Sequence, residues 1–466
     1  MKKAAFLLLN ILFCTFVQAT HNRGGSITYK HIAGLTYEVT VITYTKAISS
    51  DSLEISWGDG SLKLIPRTKI DTLLYDIKQN TYKDLHTYSS PSTYKISVEN
   101  PNRIAGIKNI QNSINTPFYI ESELYVPSNN DYNNSVEFSA LYIAFANQGR
   151  KFTFNISAFD EDKDLLSFEL ISCKGSGGAD INGYWLPNGV SIDSVNGEIL
   201  WDSPQQTGMY NFAIKISECR NNKIVGSVTV DFQIIVFSSP SNLQFLGLSS
   251  WPTDSTGTYI QFLNPNDSIQ LILTAEDSII PDSIHLLAYG EPFMSGNNAT
   301  FQTDSIWPSG IRKVFKWTPN NTHLRCSPYI ITFKGNSFLT DTANTTVLEQ
   351  YITLIIFVSD SSLTGCDTSC SDPPLSSNNY IEIEKAIIQI APNPVSFHST
   401  VRILSNKTLE NFTFSLYTIW GNRVVYIPNC YGNQFVLDRY NLPPGIYFYR
   451  IESKTDLLSI GKLVVQ

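Results

Sequence analysis

The chain has 466 residues, 33 Lys and Arg against 41 Asp and Glu, a formal charge of -8 and a pI near 5.3. That balance excludes a nucleic-acid binder, whose footprint is a surplus of positive charge. Only 16% of residues are charged, 42% are hydrophobic and 12% aromatic, with three Met beside 24 Tyr and 26 Phe, so an all-β chain is expected rather than disorder or long amphipathic helices.

Residues 1–19 read as an export signal. Met1-Lys2-Lys3 is positive, residues 4–17 are apolar, and Val17-Gln18-Ala19 ends in a small residue suited to signal peptidase. The apolar run is shorter than the ~20 residues of a membrane-spanning helix, and no later run is long enough, so no transmembrane segment is expected. After Cys14 six cysteines remain, and an oxidising route lets disulfides persist.

Residues 20–112 alternate apolar and polar positions, as in Thr36-Tyr37-Glu38-Val39-Thr40-Val41-Ile42-Thr43-Tyr44, which predicts strands. In Ile55-Ser56-Trp57-Gly58-Asp59-Gly60 two glycines flank an Asp whose carboxylate can bond local N–H groups, a turn role rather than a catalytic one. Together with His86-Thr87-Tyr88 and Thr93-Tyr94-Lys95-Ile96-Ser97-Val98, this stretch resembles the polycystic-kidney-disease (PKD) type of immunoglobulin-like β-sandwich. The segments from His21 to Tyr29 and from Asn115 to Leu124 are similar to a group of exported, gliding-motility-associated surface proteins.

Residues 113–237 carry Asp160-Glu161-Asp162-Lys163-Asp164, then Leu186-Pro187-Asn188-Gly189, Gly197-Glu198-Ile199-Leu200-Trp201 and Gly208-Met209-Tyr210, and resemble a cadherin-like domain, which implies a β-sandwich. Residues 238–359 repeat this pattern: Asp160 recurs as Asp277, Trp201 as Trp317, Pro204 as Pro319 and Tyr210 as Tyr329. Alternate carboxylates at Asp160, Asp162 and Asp164 can converge on calcium, and the cadherin resemblance implies such use. The run nevertheless lacks the Gly and distal Glu of an EF-hand loop, and acidic turns are also common as solvated loops. Cys173 and Cys219 lie at the ends of two predicted strands of this module and are expected to form a disulfide.

Residues 360–380 are polar and aperiodic, a linker. Residues 381–466 contain Ala391-Pro392-Asn393-Pro394-Val395, then Leu416-Tyr417-Thr418-Ile419-Trp420-Gly421-Asn422, then Leu442-Pro443-Pro444-Gly445-Ile446-Tyr447, and end Gly461-Lys462-Leu463-Val464-Val465-Gln466. Four motifs in this order resemble the type A C-terminal sorting domain of the type IX secretion system. The resemblance implies a small β-sandwich recognised by that machinery through Pro392, Asn393, Pro394, Gly421, Gly445, Tyr447, Lys462, Val464 and Val465. This segment holds eight basic and six acidic residues, so the positive tail is set against an acidic body.

The whole is therefore expected to be all-β: tandem immunoglobulin-like β-sandwiches plus a small C-terminal β-sandwich sorting domain. No H-E-x-x-H, G-x-S-x-G, P-loop or dinucleotide motif occurs, and the six histidines are scattered singly, so no enzyme is expected. The expected role is that of an exported structural or adhesive surface protein, with the type IX machinery and a surface glycan or adhesion partner. The alternative is a carbohydrate-binding accessory protein of polysaccharide degradation, with Trp57, Trp185 and Trp251 as stacking platforms.

Overall fold

The structure is a computed structural model. It describes residues 21–46, 51–253, 258–294, 296–340, 345–359, 387–391, 395–404, 412–418, 423–432, 434–452 and 457–465. The chain divides into two compact units, one drawn from Met1–Trp251 and Gln261–Cys370, the other from Pro252–Ile260 and Ser371–Gln466. The export signal, the linker, Cys366 and Cys370 lie outside the described residues.

In the first unit, eight strands hydrogen-bond in a ring. Asn22–Ala33 pairs with Thr36–Lys46, followed in order by Ile77–Thr87, Leu62–Thr72, Ser52–Ser56, Ser92–Asn100, Phe118–Val126 and Lys223–Phe237. Gly25 opposite Asp231 closes the circle. The alternation in Thr36–Lys46 sends Tyr37, Val39 and Val41 inward, where they pack with Ile27, Ile55, Trp57, Ile96 and Ile120. Closure depends on Gly24 and Gly25: a Cβ on either would sit 2.4 Å from a backbone oxygen, of Asp231 and Ile42 respectively.

The ring crosses the expected boundary between residues 112 and 113, because Phe118–Val126 pairs along its whole length with Ser92–Asn100. Lys223–Phe237 continues beyond the ring, pairing with Gly208–Arg220 and, in parallel, with Ile143–Asn147. Period-2 patterning marks each strand but not its partner. A 15-residue strand such as Lys223–Phe237 can therefore serve two modules at once.

Facing Gly208–Arg220 and Lys223–Phe237 is the small sheet of Phe152–Phe154, Ile199–Trp201 and Val190–Ile192, with Phe154, Trp201, Phe212 and Phe232 between. Ile330, Val347 and Tyr351 of the third module enter the same core. A buried Lys334–Glu349 pair at 2.5 Å reinforces this seam, since Glu349 also accepts the Phe145 N–H at 3.1 Å and the Tyr351 hydroxyl at 2.6 Å. The repeat noted in the sequence has matching geometry. Trp201 and Tyr210 meet edge to face at 4.9 Å, and so do Trp317 and Tyr329. The carbonyls of Pro204 and Pro319 each accept a loop N–H, from Gly149 and Asn266.

A tyrosine hydroxyl bonded to a backbone carbonyl a few residues upstream recurs through the chain: Tyr94 to Ser90, Tyr210 to Gln206, Tyr329 to His323 and Tyr447 to Pro443. Such tyrosine corners characterise immunoglobulin-like sandwiches.

Gly58 (φ +85°) approaches the Lys95 backbone so closely that a Cβ would lie 2.6 Å from its nitrogen. The turn it opens is held by Asp59, which accepts the Ser61 N–H at 2.9 Å, and His86 Nε2 lies 2.8 Å from the other oxygen while its ring stacks on Trp57. Partial burial opposes ionisation of Asp59, but the bonds from Ser61 and His86 prevail and hold its carboxyl down at about 2. Its stabilising contribution is then fully present above the unfolded value of 3.8 and is lost as pH falls towards about 2. Urea unfolding of wild type and Asp59→Asn should accordingly show a stability gap that closes between about pH 4 and pH 2. A gap that stays constant over that window would contradict this assignment.

The expected Cys173–Cys219 disulfide is not formed. Cys173 is a free, buried thiol, whereas Cys219 is disulfide-bonded elsewhere, as is Cys326. The reason is strand direction. Leu165 sits opposite Cys219 and Ile171 opposite Ala213, so Cys173 lies eight residues beyond the Cys219 position. At about 3.3 Å per residue this separates them by roughly 25 Å, whereas a disulfide needs Cα atoms within about 7 Å.

The second unit is a two-sheet sandwich. Ile387–Ala391, His398–Leu404 and Gln434–Asp438 form one sheet. Arg423–Cys430, Phe412–Thr418, Gly445–Glu452 and Leu457–Val465 form the other. Val401, Phe414, Leu416, Tyr449, Ile451 and Leu463 fill the space between them.

Candidate functional site

The acidic run folds as a tight turn between Ala158–Phe159 and Leu165–Ile171. Lys163 is left-handed (φ 68°), its N–H donates to the Asp160 carbonyl, and the Asp164 N–H donates to Asp160 Oδ1 at 2.8 Å. Oxygens of Asp160, Asp162 and Asp164 thereby come within 4.8 Å of one another, as the spacing suggested.

The sequence reasoning missed Arg220. It ends the strand Gly208–Arg220 just before a hairpin turn, Asn221-Asn222, in which both residues have positive φ, and its strand neighbour Cys219 pairs with Leu165. Arg220 Nε and Nη2 donate to the two oxygens of Asp164 at 2.8 and 2.7 Å. Nη1 donates to Asp131 Oδ1 at 2.8 Å and to the Tyr132 carbonyl at 3.1 Å. Nη2 also reaches Asn133 Oδ1 at 2.9 Å and lies 3.2 Å from Asp162 Oδ2. Asn134 in turn donates its N–H and its side-chain amide to Asp162, at 2.7 and 2.9 Å.

Behind this cage two further carboxyls are buried. Burial, then the charge of Asp164, pushes Asp160 up to about 7, and its Oδ2 has no hydrogen-bond partner among the described residues. Glu218 takes the Val136 N–H and the Asn133 amide, and burial followed by the proximity of Asp160 raises it well above the ordinary carboxylate range. Carboxylate, amide and carbonyl oxygens are the donors that calcium recruits. Here they surround a guanidinium that already takes both Asp164 oxygens, so the residues do not fit a resident calcium ion.

Of the three indoles considered as sugar platforms, Trp57 and Trp251 are buried at 1% and 4% exposure, while Trp185 is 49% exposed. Three of the six histidines make structural contacts: His86 in the Asp59 turn, His31 stacked on Tyr132 at 3.8 Å, and His323 in a capping box with Asn320.

In the C-terminal unit, Gly445 pairs with Val465, and Tyr447 is buried with its hydroxyl donating to the Pro443 carbonyl at 2.9 Å. Val395, the last residue of the first motif, donates its N–H to the Val464 carbonyl at 2.7 Å. The first, third and last motifs thus meet at one end of this sandwich. The backbone of Lys462 pairs with Phe448. Pro392, Asn393, Pro394 and Gly421 lie outside the described residues.

Residues 389–466 match the family described as "Secretion system C-terminal sorting domain". The tail is a sorting domain. No curated protein matches the chain. Among solved structures, a chimeric titin Z1Z2-Z1Z2 tandem functionalised with an exogenous GRGDS peptide from fibronectin aligns with 48% of this chain and 100% of its own, at 10% identity and a TM-score of 0.15.

The sorting domain makes this an exported protein of the cell surface or the extracellular space. Its inner face is the core described above, while Tyr426, Ile446 and Phe448 are exposed on its four-stranded sheet beside Arg423 and Arg450. Among the described residues, no helix is long and apolar enough to cross a membrane.

Proposed function

We propose that the protein is a surface spacer or adhesin, delivered by the type IX secretion system, whose immunoglobulin-like body presents loops and sheet faces to a partner rather than performing catalysis. The observation that carries this reading is the fusion of the body. One strand, Lys223–Phe237, belongs to both the ring and the second module, and the second and third modules share a core and the buried Lys334–Glu349 pair. Such a body transmits force without hinging between modules, which suits attachment. The PKD-like and cadherin-like resemblances of its sequence support the same reading.

Of the three indoles that the carbohydrate-binding alternative would use, only Trp185 is exposed; Trp57 and Trp251 are buried. Host cells lacking the protein should attach to a solid surface less well than wild type, and full-length protein should restore attachment. Undiminished attachment would refute the adhesive reading, and retention of the purified protein on insoluble polysaccharide would favour the alternative.

A further inference from the structure

We propose that Arg220 is the built-in cation of the acidic turn: its guanidinium stands where calcium would otherwise collect the oxygens of Asp131, Tyr132, Asn133, Asp162 and Asp164, so the module closes without metal and becomes a calcium site when Arg220 is removed. The donor set carries the argument. Three carboxylates, one amide oxygen and one backbone carbonyl converge on a single side chain, with five hydrogen bonds between 2.7 and 3.1 Å and a sixth oxygen at 3.2 Å. That mixture is the one a hard divalent cation takes, and three carboxylates so placed repel one another unless a positive charge lies among them.

The planar fork of Arg supplies the charge in fixed directions, which the point charge of Lys would not. A second observation comes from Asp160. Its Oδ2 is buried in the same cluster with no partner among the described residues, so the turn presents one more inward oxygen than the guanidinium engages. The repeat unit offers the contrast. At the positions of Asp162 and Asp164 it has Ile279 and Pro281, and Asp277 is satisfied instead by the hydroxyls of Ser241 and Ser337 and the Asn242 N–H, with no cation required.

The test is thermal unfolding and calorimetric titration of the mature full-length protein with calcium chloride after chelator treatment. Wild type should give no saturable heat and the same Tm in chelator and in millimolar calcium. Arg220→Ala should unfold about 3 °C lower in chelator and recover with calcium but not with magnesium, which demands tighter octahedral geometry. Arg220→Lys, which keeps the charge, should respond to calcium far less. Arg220→Gln is the second charge-removing variant, in case the alanine variant folds poorly. A wild-type Tm that climbs with calcium overturns the proposal, as does failure of both Arg220→Ala and Arg220→Gln to gain a calcium response. A variant that folds only when calcium is present supports it.

Discussion

Removing residues 389–466 should reduce the protein at the cell surface and in the medium to background while leaving it in the periplasm. The truncated segment is the whole of the sorting-domain match, and its last motif is tied to the first by the Val395–Val464 bond and to the third by the Gly445–Val465 pairing. Recognition is therefore expected to require the folded domain rather than a short peptide. Tyr447 separates the two ideas. Tyr447→Ala deletes a buried ring and its bond to Pro443, costs about 3 kcal/mol of local stability and should cut export. Tyr447→Phe loses the hydroxyl alone, about 1 kcal/mol, and should leave export near wild type. Fractionation with peptide mapping reads both, and a truncated protein that still reaches the surface would show that export does not depend on this domain.

The second large effect is on stability. Arg103 and Asp231 form an ion pair at 2.7 Å, with side chains 0% and 1% exposed. Arg103 also donates to the Lys174 carbonyl at 3.0 Å and lies over the Phe118 ring, while Asp231 accepts the Asn211 amide at 2.9 Å. Asp231 sits opposite Gly25, at the strand pairing that closes the ring. Asp231→Ala strands a buried guanidinium whose Nε and Nη1 already lack partners among the described residues, and should cost about 3–5 kcal/mol. The double variant Arg103→Met with Asp231→Asn removes the charge as well as the pair, and should recover part of that loss. Denaturant unfolding of the mature protein measures both. A cost below about 1 kcal/mol for Asp231→Ala, the range of an exposed pair, would mean that the pair does not brace the junction.

Strand grammar was legible because it is written in consecutive residues. Alternation in Thr36–Lys46, the Trp57-Gly58-Asp59-Gly60 turn and the carboxylates at 160, 162 and 164 all produce the local geometry that their spacing implies. The tail was legible for the same reason: its motifs are short runs of consecutive residues in fixed order, and the family match falls on them.

Pairing was not legible, because nothing within a strand names its neighbour. The sequence by itself determined an all-β chain, the turn at Asp59, the acidic cluster and a sorting tail. The tertiary structure alone decided that Phe118–Val126 joins the ring, that Cys173 and Cys219 stand at opposite ends of an antiparallel pair, and that the cation facing Asp164 is a guanidinium 56 residues away. Local conformation follows from residues within a few positions, whereas charge compensation and disulfide reach depend on strand register between distant segments, which only the folded sheets fix.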